Sequence, residues 1–422
     1  MRRRPLLIAV AVLVLAGAAA VAVAVVQRLH RIADVHGSAA VEYSAAIPAP
    51  IGPVPGVQWS MYGFDAARTR AIPSPLRPPF RKVWTYHAGS LVEFPPGVGY
   101  NRVFLSTNAG KVASVNVATG KRAWKRYTGR CVAASPAVGA FGSVYMAFLN
   151  EPPCNRSVGA KGIDGEVVRF AAGFGKAKWT RRIGPSESSP LLVFGKVYVG
   201  DWNGDVWALD GSHGNVLWRF HAGGAVKGGV AYANGRLYFG SYDGHLYCLS
   251  LAGKLLWKAK AQGTLLHSGR FYATPAVAHD RVYIGSTDGK EYSFGARTGT
   301  LRWSHSTGGF VYSSTAVWRD EVFVGSYSHR FYAFDAATGA ERWRFDANGP
   351  ISGSPTVIGD VVYFATLSQR TYALDARTGK LLWTFPDGKY SPVVAAGNRL
   401  FLVGYGLVYG MVEQKAMRRS KP

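Results

Sequence analysis

Apolar and polar residues alternate in short runs along most of the chain, and each run is soon interrupted by Gly, Asn, Asp or Ser. A period of two predicts strands with one buried face, and the frequent turn residues keep those strands short. Long helical patterns are absent beyond the first thirty residues or so. The alternation itself recurs: the stretch from Val361 to Trp383 has counterparts ending at Trp124, Trp179, Trp218, Trp257, Trp303 and Trp343. The intervals are 55, 39, 39, 46, 40 and 40 residues, and a Gly stands four positions before each of the seven Trp, from Gly120 to Gly379. Self-similarity of this length marks a repeat architecture.

Each unit reads as four antiparallel strands. The first opens near Ser-Pro, as at Ser135-Pro136, Ser189-Pro190, Ser354-Pro355 and Ser391-Pro392, where proline is tolerated. Hairpin turns such as Asn203-Gly204, Asp243-Gly244 and Asp288-Gly289 join the second strand to the third. A glycine turn then leads to the strand that carries the Trp. Four strands alone cannot bury their faces, so the units must stack in a ring. After Trp383 three strand-like segments follow (391–395, 399–403 and 408–411) without a fourth, while Arg81 to Tyr86 resembles a fourth strand without its first three, with Phe80 in the place of the turn glycine. Joined, they make an eighth unit with Trp84. The expected fold is all-β, an eight-bladed β-propeller of four-stranded antiparallel blades over residues 58–412, preceded by one N-terminal transmembrane helix.

The N-terminal part differs. Residues 6–26 are uniformly apolar or small, long enough as a helix to cross a bilayer, with Arg2, Arg3 and Arg4 before them and Arg28 and Arg31 after. The preferred reading is an uncleaved signal-anchor with residues 1–5 in the cytoplasm; the rival is a signal peptide cut near Ala20 or Ala24. Both place the propeller on the extracytoplasmic side of the cell membrane. Residues 27–57, rich in Ala and Pro, read as a spacer without a core, and 413–422 as a basic tail.

Composition fits this picture, with 51 Gly, 12 Trp and only 17% charged residues. Of three cysteines, Cys131 and Cys154 are a possible disulfide in an oxidising compartment, with three buried thiols as the alternative; Cys248 reads as core. The formal charge is +25, and the two termini supply only nine of the 49 basic groups. Outside the cytoplasm such a field draws lipid headgroups, cell-wall polymers or acidic proteins, unless it is simply a solvated surface.

The pattern Ala-x-Asp-x-x-Thr-Gly-x-x-x-Trp, carried at 208–218, 333–343 and 373–383, resembles the pyrroloquinoline-quinone-type (PQQ-like) β-propeller repeat family, as does the lead-in from Gln58 to Arg68. The resemblance covers roughly 58–412 and implies the fold. The family includes quinone-dependent dehydrogenases and cofactor-free scaffolds such as the lipoprotein of the β-barrel assembly machinery. This chain has no Cys-Cys pair of the kind many of the dehydrogenases carry. Its first cysteine is Cys131, whereas the lipoprotein has one just after its signal. The resemblance is closer to the scaffold, with no catalytic residue to carry over.

Local chemistry adds little. Asp201-Trp202-Asn203-Gly204-Asp205 is spaced like a calcium loop, but Val206 and Ser212 stand where such a loop needs Gly and Glu, so it reads as a hairpin turn. The ten His have no metal-ligand spacing, and no Gly-rich loop opens a helix. The expected function is a non-catalytic binding or scaffolding module of the cell envelope. A PQQ-dependent oxidoreductase and a ligand-sensing ectodomain are the alternatives. No cofactor is expected, PQQ and calcium being disfavoured. The expected partners are an envelope protein, a peptide or an acidic cell-wall polymer, with the membrane held through the N-terminal helix, no nucleic acid, and a monomeric propeller.

The binding site is expected at one mouth of the central channel. Aligning the innermost strands puts Glu93, Ala133, Glu187, Val226, Tyr272, Tyr312, Ser352 and Lys389 on that rim, with Lys227, His267, Arg270 and Tyr390 beside them and the loop 258–271 to one side. Glu93, Glu187, Lys227, Arg270, Tyr272, Tyr312 and Lys389 are the candidate contacts for a small polar ligand or an extended peptide. The bland alternative is a solvated ring in which Glu and Lys neutralise one another.

Overall fold

The computed structural model describes residues 12–18, 33–47, 52, 54–154, 164–263, 268–390 and 393–414. They form eight antiparallel sheets: blades 1 (97–127), 2 (137–183), 3 (191–221), 4 (231–260), 5 (276–306), 6 (316–346), 7 (356–385) and 8 (393–413 with 80–87). Blade 8 is assembled from both ends of the propeller. Phe80–His87 pairs with Leu407–Glu413, with Trp84 opposite Gly410 and Tyr86 opposite Val408.

Middle strands are buried on both faces, as in Ser143–Phe148, whereas outermost strands such as Val216–His221 are largely exposed. The Gly–Trp coincidence has a packing cause. The indole of each repeat Trp from Trp84 to Trp343 lies on the turn glycine of the next blade; a Cβ on Gly120 would come within 2.6 Å of Trp84, and one on Gly175 within 2.6 Å of Trp124. The indole N–H then donates to a carbonyl of that same turn, Trp84 to Val117 at 3.0 Å and Trp124 to Ala172 at 2.7 Å. Glycine is required twice here, for its positive φ and for the approach of the ring. Phe80 takes the glycine's place once, meeting Trp383 edge-on with centroids 5.7 Å apart.

Two N-terminal segments tie the ring together. Residues 57–72 run round the channel: Val57–Trp59 adds to blade 1, and Ala71–Ile72 lies parallel to Thr356–Ile358 of blade 7. Between them, carbonyls of Ser60, Ala66, Ala67, Thr69 and Arg70 accept from the innermost strands of blades 2, 4, 5, 6 and 7 at 2.6–2.8 Å. Buried Arg68 reaches Val230 and Ser189 carbonyls at 2.9 and 3.2 Å, as well as that of Tyr62. This lead-in fills the channel at one end.

Residues 33–47, read from sequence as spacer, are docked instead. Asp34 pairs with Lys290, Val35 bridges to Ser304, Glu42 pairs with Arg302 at 2.5 Å, and Tyr43 stacks on His279. The strap descends the outer edge of blade 5 and covers Trp303, which is fully buried. The spacer expectation failed because ion pairs between distant segments leave no local periodicity. Of the apolar run 6–26 only 12–18 is described, as a short helix, and among the described residues no helix is long and apolar enough to cross a membrane. The span and its signal-peptide rival otherwise lie outside the described residues.

Candidate functional site

The connections into each innermost strand, and the turns between second and third strands, share the channel end opposite the lead-in. With the other end filled, that mouth opens into a blind pocket. Its floor is Tyr62, whose hydroxyl bonds Ser354 at 2.8 Å and Ser314 at 3.3 Å; its walls include Glu93, Phe94, Tyr272, Tyr312, Ser352 and Tyr390. The space is about 440 Å³, counting the part open to solvent. Small residues at the inner positions, Gly228, Thr274, Ser314 and Ser354, leave room for it.

The sequence-derived rim residues meet here. Lys227 donates to Glu187 at 3.2 Å and lies over the Trp202 ring at 4.1 Å. Tyr272 donates to the other oxygen of Glu187 at 3.0 Å, and its ring meets Tyr312 edge-on at 5.3 Å. Arg270 sits over Tyr242 at 5.6 Å, and Lys389 over Tyr405 and Tyr390 at 4.9 and 5.5 Å. Burial, together with the Glu187 charge, pushes the Glu93 carboxyl up to about 7, against the pull of Lys389 and Lys227. Burial and the carboxylates Glu187 and Glu93 likewise hold the Tyr272 hydroxyl well above its ordinary value. Ala133 packs beside the mouth with Phe94 and Trp202. Cys131 and Cys154 of that cluster are joined by a disulfide, with Cα atoms 5.4 Å apart.

One rim assignment was wrong by a residue. Val226 is fully buried, its side chain filling the space over Gly200, as Phe271, Val311 and Ile351 fill that over Gly240, Gly285 and Gly325. The blade 4 member of the ring is therefore Lys227. His267 lies outside the described residues. A second aromatic ring was missed: Trp202, Tyr242, Tyr327 and Tyr405, each next to Asp201, Ser241, Ser326 or Gly404 where the second strand ends. The amides of Trp202, Tyr242 and Tyr327 bond Pro185, Ala225 and Phe310 carbonyls at 2.8–3.0 Å, which holds these rings against the mouth. That recurrence was visible in the repeat once its turns were aligned.

The calcium-like stretch is structural. Asp201 accepts from the amides of Gly184, Asn203 and Asp205 and from the Trp207 indole, at 2.8–3.0 Å, so its oxygens cap the turn. The mouth as a whole offers aromatic faces, hydroxyls, the Glu187 carboxylate and the cations Lys227, Arg270 and Lys389, groups that can stack on and hydrogen-bond polar molecules.

Residues 203–311 and 307–412 match the family model described as outer membrane protein assembly factor BamB. A curated relative of that name from Burkholderia pseudomallei is 31% identical over 130 residues, which is 30% of this chain and 32% of the relative. The quinone alcohol dehydrogenase subunit of Gluconobacter oxydans is 32% identical over 145 residues, 29% of this chain and 19% of that protein. The matched segments thus span a third or less of these relatives. In fold, the chain is similar to BamB of Moraxella catarrhalis, with TM-score 0.63 and 17% identity over 81% of this chain and all of the other. It is also similar to the quinohemoprotein alcohol dehydrogenase of Comamonas testosteroni, with TM-score 0.69 and 15% identity over 86% and 82% of the two chains.

Proposed function

We propose that this chain, whose repeats belong to the PQQ-like β-propeller family, is a non-catalytic binding platform of the cell envelope that receives a partner's extended segment at its channel mouth. The observation that supports this most is the blind, aromatic-lined pocket, closed from behind by the chain's own lead-in. A closed floor turns a channel into a receptacle, and the rigid ring around it lowers the ordering cost of binding. Relatives named for outer membrane protein assembly favour an envelope protein or peptide as the partner. In this reading residues 6–26 hold the chain at the membrane as a single span.

The dehydrogenase alternative draws on relatives of similar identity. One feature of the mouth weighs against calcium there. A calcium ion takes six to eight oxygen ligands, whereas at this mouth Glu187 is already committed to Lys227 and Tyr272.

A photo-crosslinking residue in place of Phe94, used in intact envelopes, tests the reading. Capture of a discrete partner that is lost on replacing Glu187, Tyr272 and Tyr312 together supports it; capture unaffected by those changes moves the site elsewhere. Dye-linked alcohol oxidation after addition of the quinone and calcium would overturn the non-catalytic assignment.

A further inference from the structure

The end of the propeller opposite the mouth carries three unusually exposed aromatic side chains, all in blades 2 and 3. Phe141 is 96% exposed, Phe174 78% and Phe194 62%. Phe141 and Phe194 occupy tight turns between first and second strands at φ of 54° and 50°. A bulky residue in that region is strained, and glycine or asparagine serves the turn better, as Asn234 does in blade 4. Where other blades place a large side chain there, it does a structural job: Tyr100 bonds the Gly139 carbonyl at 2.7 Å, and His279 bonds Ser44 and Arg319 carbonyls. Phe141 is almost wholly solvated, so folding gains little from it, and Phe194 gains only an edge contact with Tyr232.

The turns are neighbours. Ala172 donates to Gly142 at 2.8 Å, Gly211 to Gly195 at 2.9 Å, and Tyr145 of blade 2 to Gly211 of blade 3 at 3.0 Å. Around them lie exposed Lys176, Lys178 and Arg126, half-buried Lys196, and Arg169, whose guanidinium reaches Ser212 across the blade boundary. The acid on these turns, Asp210, is occupied by the amides of Ser212 and His213 and by the His213 ring.

We propose that this face of blades 2 and 3 docks on an anionic lipid surface, the phenylalanines entering the interface and the basic side chains pairing with headgroups. Charge selects a polyanion, and separate protruding apolar tips without a groove favour a bilayer over a folded protein or a hydrophilic polymer. The inference does not depend on the mouth pocket, and it leaves that pocket pointing away from the lipid. It also tolerates the proposed span. Six residues separate 26 from 33, and an extended chain of that length reaches about 20 Å, roughly the height of a six-residue strand.

The full chain, reconstituted into phosphatidylcholine vesicles with or without phosphatidylglycerol, provides the test. An environment-sensitive dye is attached through Phe141→Cys, or through Phe310→Cys on the mouth side; the native thiols are bridged or buried. Nitroxide-labelled lipid is expected to quench the dye at 141 when phosphatidylglycerol is present and to leave the dye at 310 bright. Changing Lys176, Lys178 and Lys196 to Glu should abolish that quenching while melting is unchanged. Quenching at 310 and not at 141, or quenching at 141 indifferent to phosphatidylglycerol, would overturn the proposal.

Discussion

Across the mouth, the hydroxyl of Tyr272 on the connection into blade 5 donates at 3.0 Å to Glu187 on the connection into blade 3, passing over the blade between them. The same carboxylate holds Lys227 of that intervening blade, so three successive connections share one anion. Its charge also raises the Glu93 carboxyl, second only to burial. In Glu187→Gln the Glu93 midpoint should fall from about 7, while remaining above the ordinary carboxyl range because burial persists. Carbon-detected NMR titration of Glu93 reads this directly; an unmoved midpoint would mean that the two groups do not sense each other.

Glu291 provides a stability test. It is fully buried, accepts from Thr315 at 2.7 Å, and burial pushes its carboxyl up to about 8. Because the folded value is raised, folding binds its proton more tightly. The contribution is complete below the unfolded value near 4.5 and is lost as pH rises through about 8. Glu291→Gln should therefore flatten the fall in stability between those pH values, and at pH above 8 the variant should be the more stable of the two. Denaturant melts across that range decide it.

Gly339 has φ of 74°, and a Cβ there would lie 2.7 Å from the Trp303 ring; Gly195 has φ of 72° and nothing nearby. Both lose about 1 kcal/mol to backbone strain as Ala, but only Gly339→Ala also displaces an indole. Urea unfolding should show Gly339→Ala costing at least ~1 kcal/mol more than Gly195→Ala. Equal costs would remove ring contact as the reason for the repeat glycine.

The strap should loosen in acid. Burial raises the Glu42 carboxyl, but hydrogen bonds from Arg302, Thr298 and Arg297 outweigh it and leave a net lowering. Stability from such a group is present above the ordinary value and is lost as pH falls through the lowered one. Glu42→Gln should reproduce the acid effect at neutral pH, speeding protease cleavage within 33–47 several-fold while the ring stays resistant. Cleavage at the parental rate would show that the other contacts, Asp34 with Lys290 and Tyr43 with His279 among them, hold the strap without Glu42.

Repetition made the ring legible. Seven Gly–Trp pairs and two incomplete ends were enough to pair Arg81–Tyr86 with 408–411, since a sheet edge needs its partner wherever the sequence supplies it. Glu93, Glu187, Tyr272 and Tyr312 reached the mouth because a fixed offset within a repeat maps to one height on the channel wall. Val226 broke the rule: the Ser-Pro marker is absent in blade 4, where Gly229-Val230 stands instead, and alignment slipped by one. The docking of the strap and of the lead-in was hidden for a different reason. Asp34, Glu42 and Arg68 contact residues over a hundred positions away, and no periodicity announces such contacts.

The segment from Val57 to His87 is synthesised early yet finds its last strand partner only at Leu407–Glu413. A nascent chain can stack seven blades and still carry Phe80–His87 unpaired, with its hydrogen-bonding edge open to any other strand. Biogenesis must therefore protect the front of the polypeptide until its rear arrives. A product released before the final forty residues would be a sticky crescent, a substrate for proteolysis or for self-association, and never a smaller working ring.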